Sequence, residues 1–347
     1  MLPFTRRAAL IVLASLAATP AYATKPAPKP ALVKVTFVTD WKAQAEHGGF
    51  YQAKALGLYE KVGLDVTIKQ GGPAVNTPQL IAAGAVDFAM GSNHFQPLNL
   101  VAAGADAMAV AAIFQKDPQV LITHPRDDVK TLADMKGKPV MISDATISTW
   151  WIWARARYGF DDKQIRKYTF NLAPFLSDPK AIQQGYVTSE PFTIETQGKI
   201  KPKVFLLADY GYPGYANFIM ARGKDVRERP KIVQAFVDAS IDGWNAYLGS
   251  NPKPGNDLIK AANPEMTDDI ITQAIGQMKT RGMVQGGDAA KLGVGAMTDA
   301  RWKTFVDLMM ANKVYDAKLD ATKAYTHAFV NKARGVAKPK PAPAKKP

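Results

Sequence analysis

Tyr186 and Glu190 stand four residues apart in the run 185–192, GYVTSEPF. Read as an extended segment, that spacing projects both side chains from one face, and Pro191 ends regular pairing there. A carboxylate in a dry cleft has to be paired or hydrogen-bonded. N–H donors on a small planar molecule would satisfy Glu190 while Tyr186 stacks on its ring. The plainer alternative is a turn glutamate at the surface. Trp41 follows the first expected strand, at its carboxyl end, where ligands sit in open α/β sheets. Its indole could stack on the same ring or cap the core. His47 could hydrogen-bond a ligand, act as a pH-sensitive gate, or simply bond to loop backbone.

Ser92 and Asn93 follow an expected strand at 86–90 and precede a helical run. Both are strong N-cap residues, and a helix N-terminus offers free N–H groups to an oxygen. Capping without a ligand is the alternative. Ser148 and Thr149 repeat this pattern after an expected strand at 139–142. Trp150, Trp151 and Trp153 follow at a spacing that does not let all three face one core. Packing is the favoured reading of this cluster; the alternative is that one of the three, Trp150, points toward a cleft. Tyr210, among Tyr212 and Tyr215, is the tyrosine expected nearest the cleft, with packing for all three as an equal alternative.

Catalytic chemistry has little to stand on. The chain has no cysteine, which excludes a thiolate nucleophile, a cysteine zinc site and an iron–sulfur cluster. It has no Ser-nucleophile elbow, HExxH or P-loop. Asp40 and Glu190 could serve acid–base chemistry if the fold brought them together. His47 and His94 without a carboxylate at ligand spacing are a poor metal site. No catalytic residue, metal or cofactor is expected.

The elements that must position these residues alternate. Short β-like runs at 33–37, 64–68, 86–90, 109–114, 119–123, 139–142, 203–207 and 217–221 are separated by helical runs, including 77–83, 148–158 and 181–184. That order predicts mostly parallel sheets covered by helices. From 230 to 248 apolar residues follow a helical stripe, with Pro230 suited to the first turn. Runs near 267–280, 298–311 and 321–332 also read as helices, with no strand after them. The expected fold is α/β with two lobes, each a mostly parallel sheet flanked by helices, and a ligand cleft between. Lobe 1 takes 32–121 and 217–333; lobe 2 takes 122–216. Pro118 and Gly211/Gly214 fit changes of direction at the crossings.

The chain has 347 residues and a formal charge of +14. Ten of those positive charges lie before residue 30 and after residue 330, where there is no acid. The remaining +4 on the body does not imply a nucleic-acid groove. Residues 1–23 read as an export signal: Arg6-Arg7, an apolar run at 8–18, and an A-x-A site ending at Ala23. Whether export is general or twin-arginine stays open. Residues 24–31 and 334–347 are rich in Pro, Ala and Lys and are expected to be disordered. A secreted monomer is expected.

Asp40-Trp41, His47-Gly48-Gly49-Phe50-Tyr51, 55–59 (ALGLY) and 63–66 (GLDV) resemble the opening of ABC-importer binding proteins for thiamine pyrimidine precursors. The blocks 84–91 (GAVDFAMG), 185–192 and 208–215 (ADYGYPGY) fit the same family, over roughly 32–250. The early blocks are shared with sulfonate and taurine binders. The resemblance implies a type II periplasmic-binding-protein fold and a periplasmic location. It also implies a small heteroaromatic ligand, and delivery by lobe closure to the permease and ATPase of an inner-membrane importer. Riboflavin-like rings and small sulfonates remain alternative ligands. The superfamily also includes a thiamine pyrimidine synthase that uses a lysine-held pyridoxal phosphate and its own histidine. On an ungapped match those positions fall on Gly91 and Phe95, so the nucleophile for a Schiff base is missing here.

Overall fold

A computed structural model describes residues 31–72 and 74–336. The expected export segment, the linker through residue 30 and the tail from 337 lie outside the described residues. Among the described residues ten strands form two sheets. The first holds β1 (Val33–Val38), β2 (Leu64–Lys69), β3 (Phe88–Asn93) and β4 (Ala107–Phe114). The second holds β5 (Gln119–Thr123), β6 (Val140–Ile142), β7 (Ile165–Lys167), β8 (Ile182–Tyr186) and β9 (Lys203–Leu206). The last strand, β10 (Ala216–Arg222), returns to the first sheet. The strand orders are β2-β1-β3-β10-β4 and β7-β6-β8-β5-β9.

The two sheets exchange one strand each. β1 runs parallel to β2 and β3, and β6 runs parallel to β7 and β8. Parallel neighbours need a long return, and the intervening helices supply it. β5 and β10 instead arrive directly from the opposite sheet. β5 is antiparallel to β8 and β9, and β10 to β3 and β4. Each sheet is therefore mixed at one interior strand. β5 belongs wholly to the second sheet, so the first crossing is 115–118, a few residues before the expected boundary at 121.

Interior strands with both faces covered read as unbroken apolar runs. β10, interior to the first sheet, is buried along nearly its whole length, and so is β4 (AMAVAAIF), the last strand of that sheet, whose outer side is bridged to Gly295 and Tyr325. The helix Pro230–Tyr247 lies on the first sheet and buries Val233, Phe236, Val237, Ile241 and Trp244. Phe236 stacks on Phe88 at 4.1 Å and on Tyr59 at 5.3 Å, and Phe37 tilts against it at 5.3 Å. The Tyr59 hydroxyl and Ser240 hydroxyl pair at 3.0 Å beneath them. Among the described residues no helix is long and apolar enough to cross a membrane.

Four expectations are corrected. The run 181–184, read as helix, lies almost entirely in β8, between β6 and β5, because tertiary pairing overrides the helical preference of Ala and Gln. Trp150, Trp151 and Trp153 are all buried. The helix Trp150–Tyr158 has neighbours on several sides. Trp150 Nε1 donates to Gln119 of β5, Trp151 Nε1 donates to Asp162, and Trp153 packs edge-on against Tyr212 of the return crossing. The segment 321–332 holds only a short 3-10 turn, Ala321–Ala324, before isolated bridges. Order extends past residue 334: Arg334 bridges to Gly293 and donates to both carboxylate oxygens of Asp242, at 2.7 and 2.5 Å.

Candidate functional site

The carboxyl ends of β1 and β3 bring three polar side chains together. Asp40, two residues past β1, is 12% exposed and His47 only 1%. His47 Nε2 faces Asp40 Oδ1 at 3.1 Å, and Ser92 Oγ donates to Asp40 Oδ2 at 2.6 Å. Ser92 N in turn donates to Gln96 Oε1 at 2.9 Å. A cavity of ≈ 330 Å³ opens here, lined by Asp40, Ser92, Gln96 and the segment 74–78. β3 runs on through Ser92 and Asn93, beyond the expected end at 90. Asn93 Oδ1 accepts the N–H of Phe95, the first residue of the next helix, at 3.1 Å, while its backbone pairs with Ala216 of β10.

The Gly48-Gly49 pair next to His47 is a packing requirement. A Cβ on Gly48 would lie 2.0 Å from the Tyr247 ring, and one on Gly49 would lie 2.1 Å from Trp244. Only glycine lets the helix Gly48–Ala55 press this closely on the helix Pro230–Tyr247, and that contact fixes the turn carrying Glu46 and His47.

On the second lobe, Tyr186 ends β8 and Glu190 begins the helix Glu190–Gly198. The two do not share an extended segment as expected. The chain turns between them, and Glu190 reaches back: its Oε2 accepts Tyr186 N at 2.8 Å and its Oε1 accepts the Tyr168 hydroxyl at 3.4 Å. A carboxylate in the first helical turn also complements the helix dipole. Burial raises the Glu190 carboxyl above its usual range, against the opposing pull of the Tyr186 N–H.

Side chains from the two lobes meet across the cleft. Trp41, partly exposed, packs on Phe170 at 4.9 Å, and Phe170 on Tyr168 at 5.2 Å. Phe170 has φ of 62° and is 47% exposed, unusual for an aromatic residue held in a left-handed turn. Deeper in, Thr188 Oγ1 donates to Glu46 Oε1, and Gln273 Nε2 from the first lobe donates to Thr188 O at 3.2 Å. Burial raises the Glu46 carboxyl. Asp117, in the first crossing, is pushed up to about 7 by burial. The Tyr186 hydroxyl is pushed up by burial and by the carboxylates of Asp40, Asp117, Glu46 and Glu190 around it. The cleft therefore gathers acceptors and aromatic faces. The arrangement can hold a flat molecule by its donors.

Other candidates stand elsewhere. Ser148 is exposed, and Thr149 Oγ1 donates to Thr146 O at 3.1 Å within its own turn. Ser143 N and Thr146 Oγ1 take the place after β6 instead, both donating to Gln184 Oε1 at 2.7 Å. Tyr210 packs on Phe205 at 6.1 Å and accepts from Tyr158 at its carbonyl. His94 is fully buried in an aromatic stack with Tyr215, Trp302 and Phe305, and burial lowers its pKa. Its Nδ1 accepts Tyr215 N at 3.0 Å. Sequence reasoning did not single out Glu46, Asp117, Thr188 or Phe170; Glu46 and Thr188 meet only because the fold joins positions 142 residues apart, and Phe170 reaches Trp41 only across the cleft.

Two α/β lobes joined by two crossings, with one strand exchanged between their sheets and a polar, aromatic cleft between them, make this a protein of the periplasmic-binding-protein fold. The structure superposes on the periplasmic aliphatic sulphonate binding protein of Escherichia coli with a TM-score of 0.64. Identity is 15%, over 92% of this chain and 96% of that one. The chain belongs to the NMT1/THI5-like family, whose profile matches residues 44–253. A Haemophilus influenzae protein named for thiamine biosynthesis is 26% identical over 63% of this chain and 70% of its own. The formylaminopyrimidine-binding protein of Halalkalibacterium halodurans is 22% identical over 70% and 74%. The 4-amino-5-hydroxymethyl-2-methylpyrimidine phosphate synthase of Schizosaccharomyces pombe is 27% identical, over 31% of each chain.

Proposed function

We propose that this chain is a periplasmic solute-binding protein that closes its lobes on an aminopyrimidine and presents it to the permease and ATPase of an ABC importer. The observation that carries the reading is the set of carboxyls around Tyr186: Asp40, Glu46, Asp117 and Glu190. An aminopyrimidine brings exocyclic N–H donors and a basic ring nitrogen to such acceptors, and its flat ring suits Trp41 and Tyr186. A sulfonate would bring a further negative charge and would want converging cations or helix N-termini. A riboflavin-like ring would find the same aromatic faces, with less use for the carboxyls.

Binding without turnover fits the site better than catalysis. Gly91 lies inside β3, opposite Phe218, and a Cβ there would already sit 3.0 Å from Met220 sulfur. A lysine at that point would need the Met220 side chain to give way. The protein acts as a monomer: the ligand binds the closed form better than the open one, and the closed form is what the importer recognises.

Calorimetry with 4-amino-5-hydroxymethyl-2-methylpyrimidine tests the reading on two variants. Glu190→Gln places an NH2 where a carboxylate oxygen stood and should cost about 1.5–3 kcal/mol, roughly tenfold to more than a hundredfold. Trp41→Ala should weaken binding of any flat ring, by about 0.5–1.5 kcal/mol beyond burial. If Glu190→Gln leaves affinity unchanged while Trp41→Ala abolishes it, the cleft is aromatic and the aminopyrimidine assignment is wrong.

A further inference from the structure

The geometry points to the cavity beside Asp40 as a subsite for the ligand's substituent, with Asp40 admitting an amine or hydroxyl there and rejecting a phosphate or sulfonate. The inference rests on the ligand reading above and adds a charge rule to it. The cavity is ≈ 330 Å³, enough for a substituent of several heavy atoms. Of the described residues lining it, Asp40 alone is charged; the rest are Ala74, Val75, Asn76, Thr77, Pro78, Ser92 and Gln96.

The hydrogen-bond inventory around the cavity shows what remains to be satisfied. Thr77 Oγ1 is spent on Met90 O at 2.9 Å, and Asn76 Oδ1 accepts Gln79 N at 3.0 Å. Gln96 Oε1 is spent on Ser92 N at 2.9 Å. The Ser92 hydroxyl proton is committed to Asp40 Oδ2, and His47 occupies Oδ1. A carboxylate oxygen accepts more than one donor, so Asp40 Oδ2 retains acceptor capacity at the cavity wall. An ammonium or hydroxyl entering the cavity meets that oxygen. A phosphate could take the amide N–H groups of Asn76 and Gln96, but it would place a second anion against a largely buried carboxylate with no cation in the lining, and that repulsion decides against it. His47 and Ser92 hold the carboxylate at its two oxygens and keep its orientation fixed.

Calorimetry on the full chain with three probes tests this. The probes are 4-amino-5-hydroxymethyl-2-methylpyrimidine, its 5-aminomethyl analogue, and the phosphate ester of the hydroxymethyl compound. The aminomethyl probe should bind at least as tightly as the hydroxymethyl one, and the phosphate ester about thirtyfold or more weaker. Asp40→Asn should weaken the aminomethyl probe by about tenfold and narrow the gap to the phosphate. Should Asp40→Asn fail to fold, Gln96→Glu serves instead: a second carboxylate in the cavity should widen the gap by about tenfold. A phosphate ester bound within about threefold of the hydroxymethyl probe overturns the inference and leaves the aminopyrimidine reading intact. So does an unchanged ratio in the folded variants. If none of the pyrimidines binds, that reading fails, and thermal shifts with ethylammonium and ethanesulfonate test the cavity by itself. Stabilisation by ethylammonium alone, lost in Asp40→Asn or reduced to the level of ethanesulfonate, supports the charge rule. Stabilisation by ethanesulfonate, or by neither, overturns it.

Discussion

Arg301→Leu is expected to destabilise the fold by about 3–5 kcal/mol, because one guanidinium ties both lobe crossings together. Arg301 lies in the helix Asp299–Ala311 and is 23% exposed. Its Nη2 donates to Gln115 O in the outgoing crossing and to Gly214 O, at 3.0 Å, in the returning one. Its Nε donates to Pro213 O at 3.1 Å. The guanidinium also lies over the Tyr215 ring, 3.9 Å from its centre, with Asp288 Oδ2 3.8 Å away. Hydrogen bonds to a charged group are worth about 1.5–3 kcal/mol each, and the ring contact about 0.5–2. The three carbonyls share one donor group, so those values do not add. Leucine restores some packing and no donors. Lysine keeps the charge but offers a single ammonium that cannot fork to two strands; Arg301→Lys should lose about half as much. Urea denaturation followed by tryptophan fluorescence reads the free energies, and scanning calorimetry should show a fall of about 6–10 °C for the leucine variant. A loss below about 1 kcal/mol, or full rescue by lysine, would refute the clamp.

Thr188→Val keeps the side-chain shape and removes the donor that spans the cleft to Glu46. The bond exists only with the lobes together, so ligand affinity should fall by about 1–3 kcal/mol, roughly fivefold to more than a hundredfold, by calorimetry. Unchanged affinity would mean that closure does not use it. Burial pushes the Asp117 carboxyl from 3.8 up to about 7, so the folded protein keeps a proton that the unfolded chain releases. Between about pH 4 and 7 the native state binds more protons than the unfolded one, and this contribution falls as pH rises. Asp117→Asn retains an oxygen to accept Gln119 N, now at 2.9 Å. The variant should therefore gain stability relative to the wild type as pH rises through that window, in urea titrations at several pH values. A gain toward acid instead would show that the sign is wrong.

Most of the sheet framework was legible because its strands announce themselves locally. β1 alternates, and β4 and most of β10 are the apolar runs that strands covered on both faces require. The failures came where a partner distant in sequence decided the outcome. The segment 181–184 has little intrinsic strand character and becomes part of β8 because β5 and β6 flank it. Trp150, Trp151 and Trp153 looked too crowded for one core, and each was given a different neighbour: β5, the loop at 162 and the return crossing. Glu46 and Thr188 lie 142 residues apart, and nothing near either one signals the other.

The same rule separates the two expected polar loops. Both were read from position alone, as hydroxyls following a strand at its carboxyl end. After β3 the strand extends through Ser92 itself, so the hydroxyl stays at the sheet edge and meets Asp40, which leaves β1 at the neighbouring position. After β6 a short helix, Asp144–Ile147, intervenes. One helical turn rises about 5.4 Å and rotates the chain fully round, which takes Ser148 and Thr149 off the edge. Ser143 and Thr146 remain there and bind Gln184 in place of a ligand. Position after a strand thus locates a cleft-facing residue only within the first residue or two. Beyond that distance the geometry of the connecting turn decides, and that geometry has to be seen in the fold.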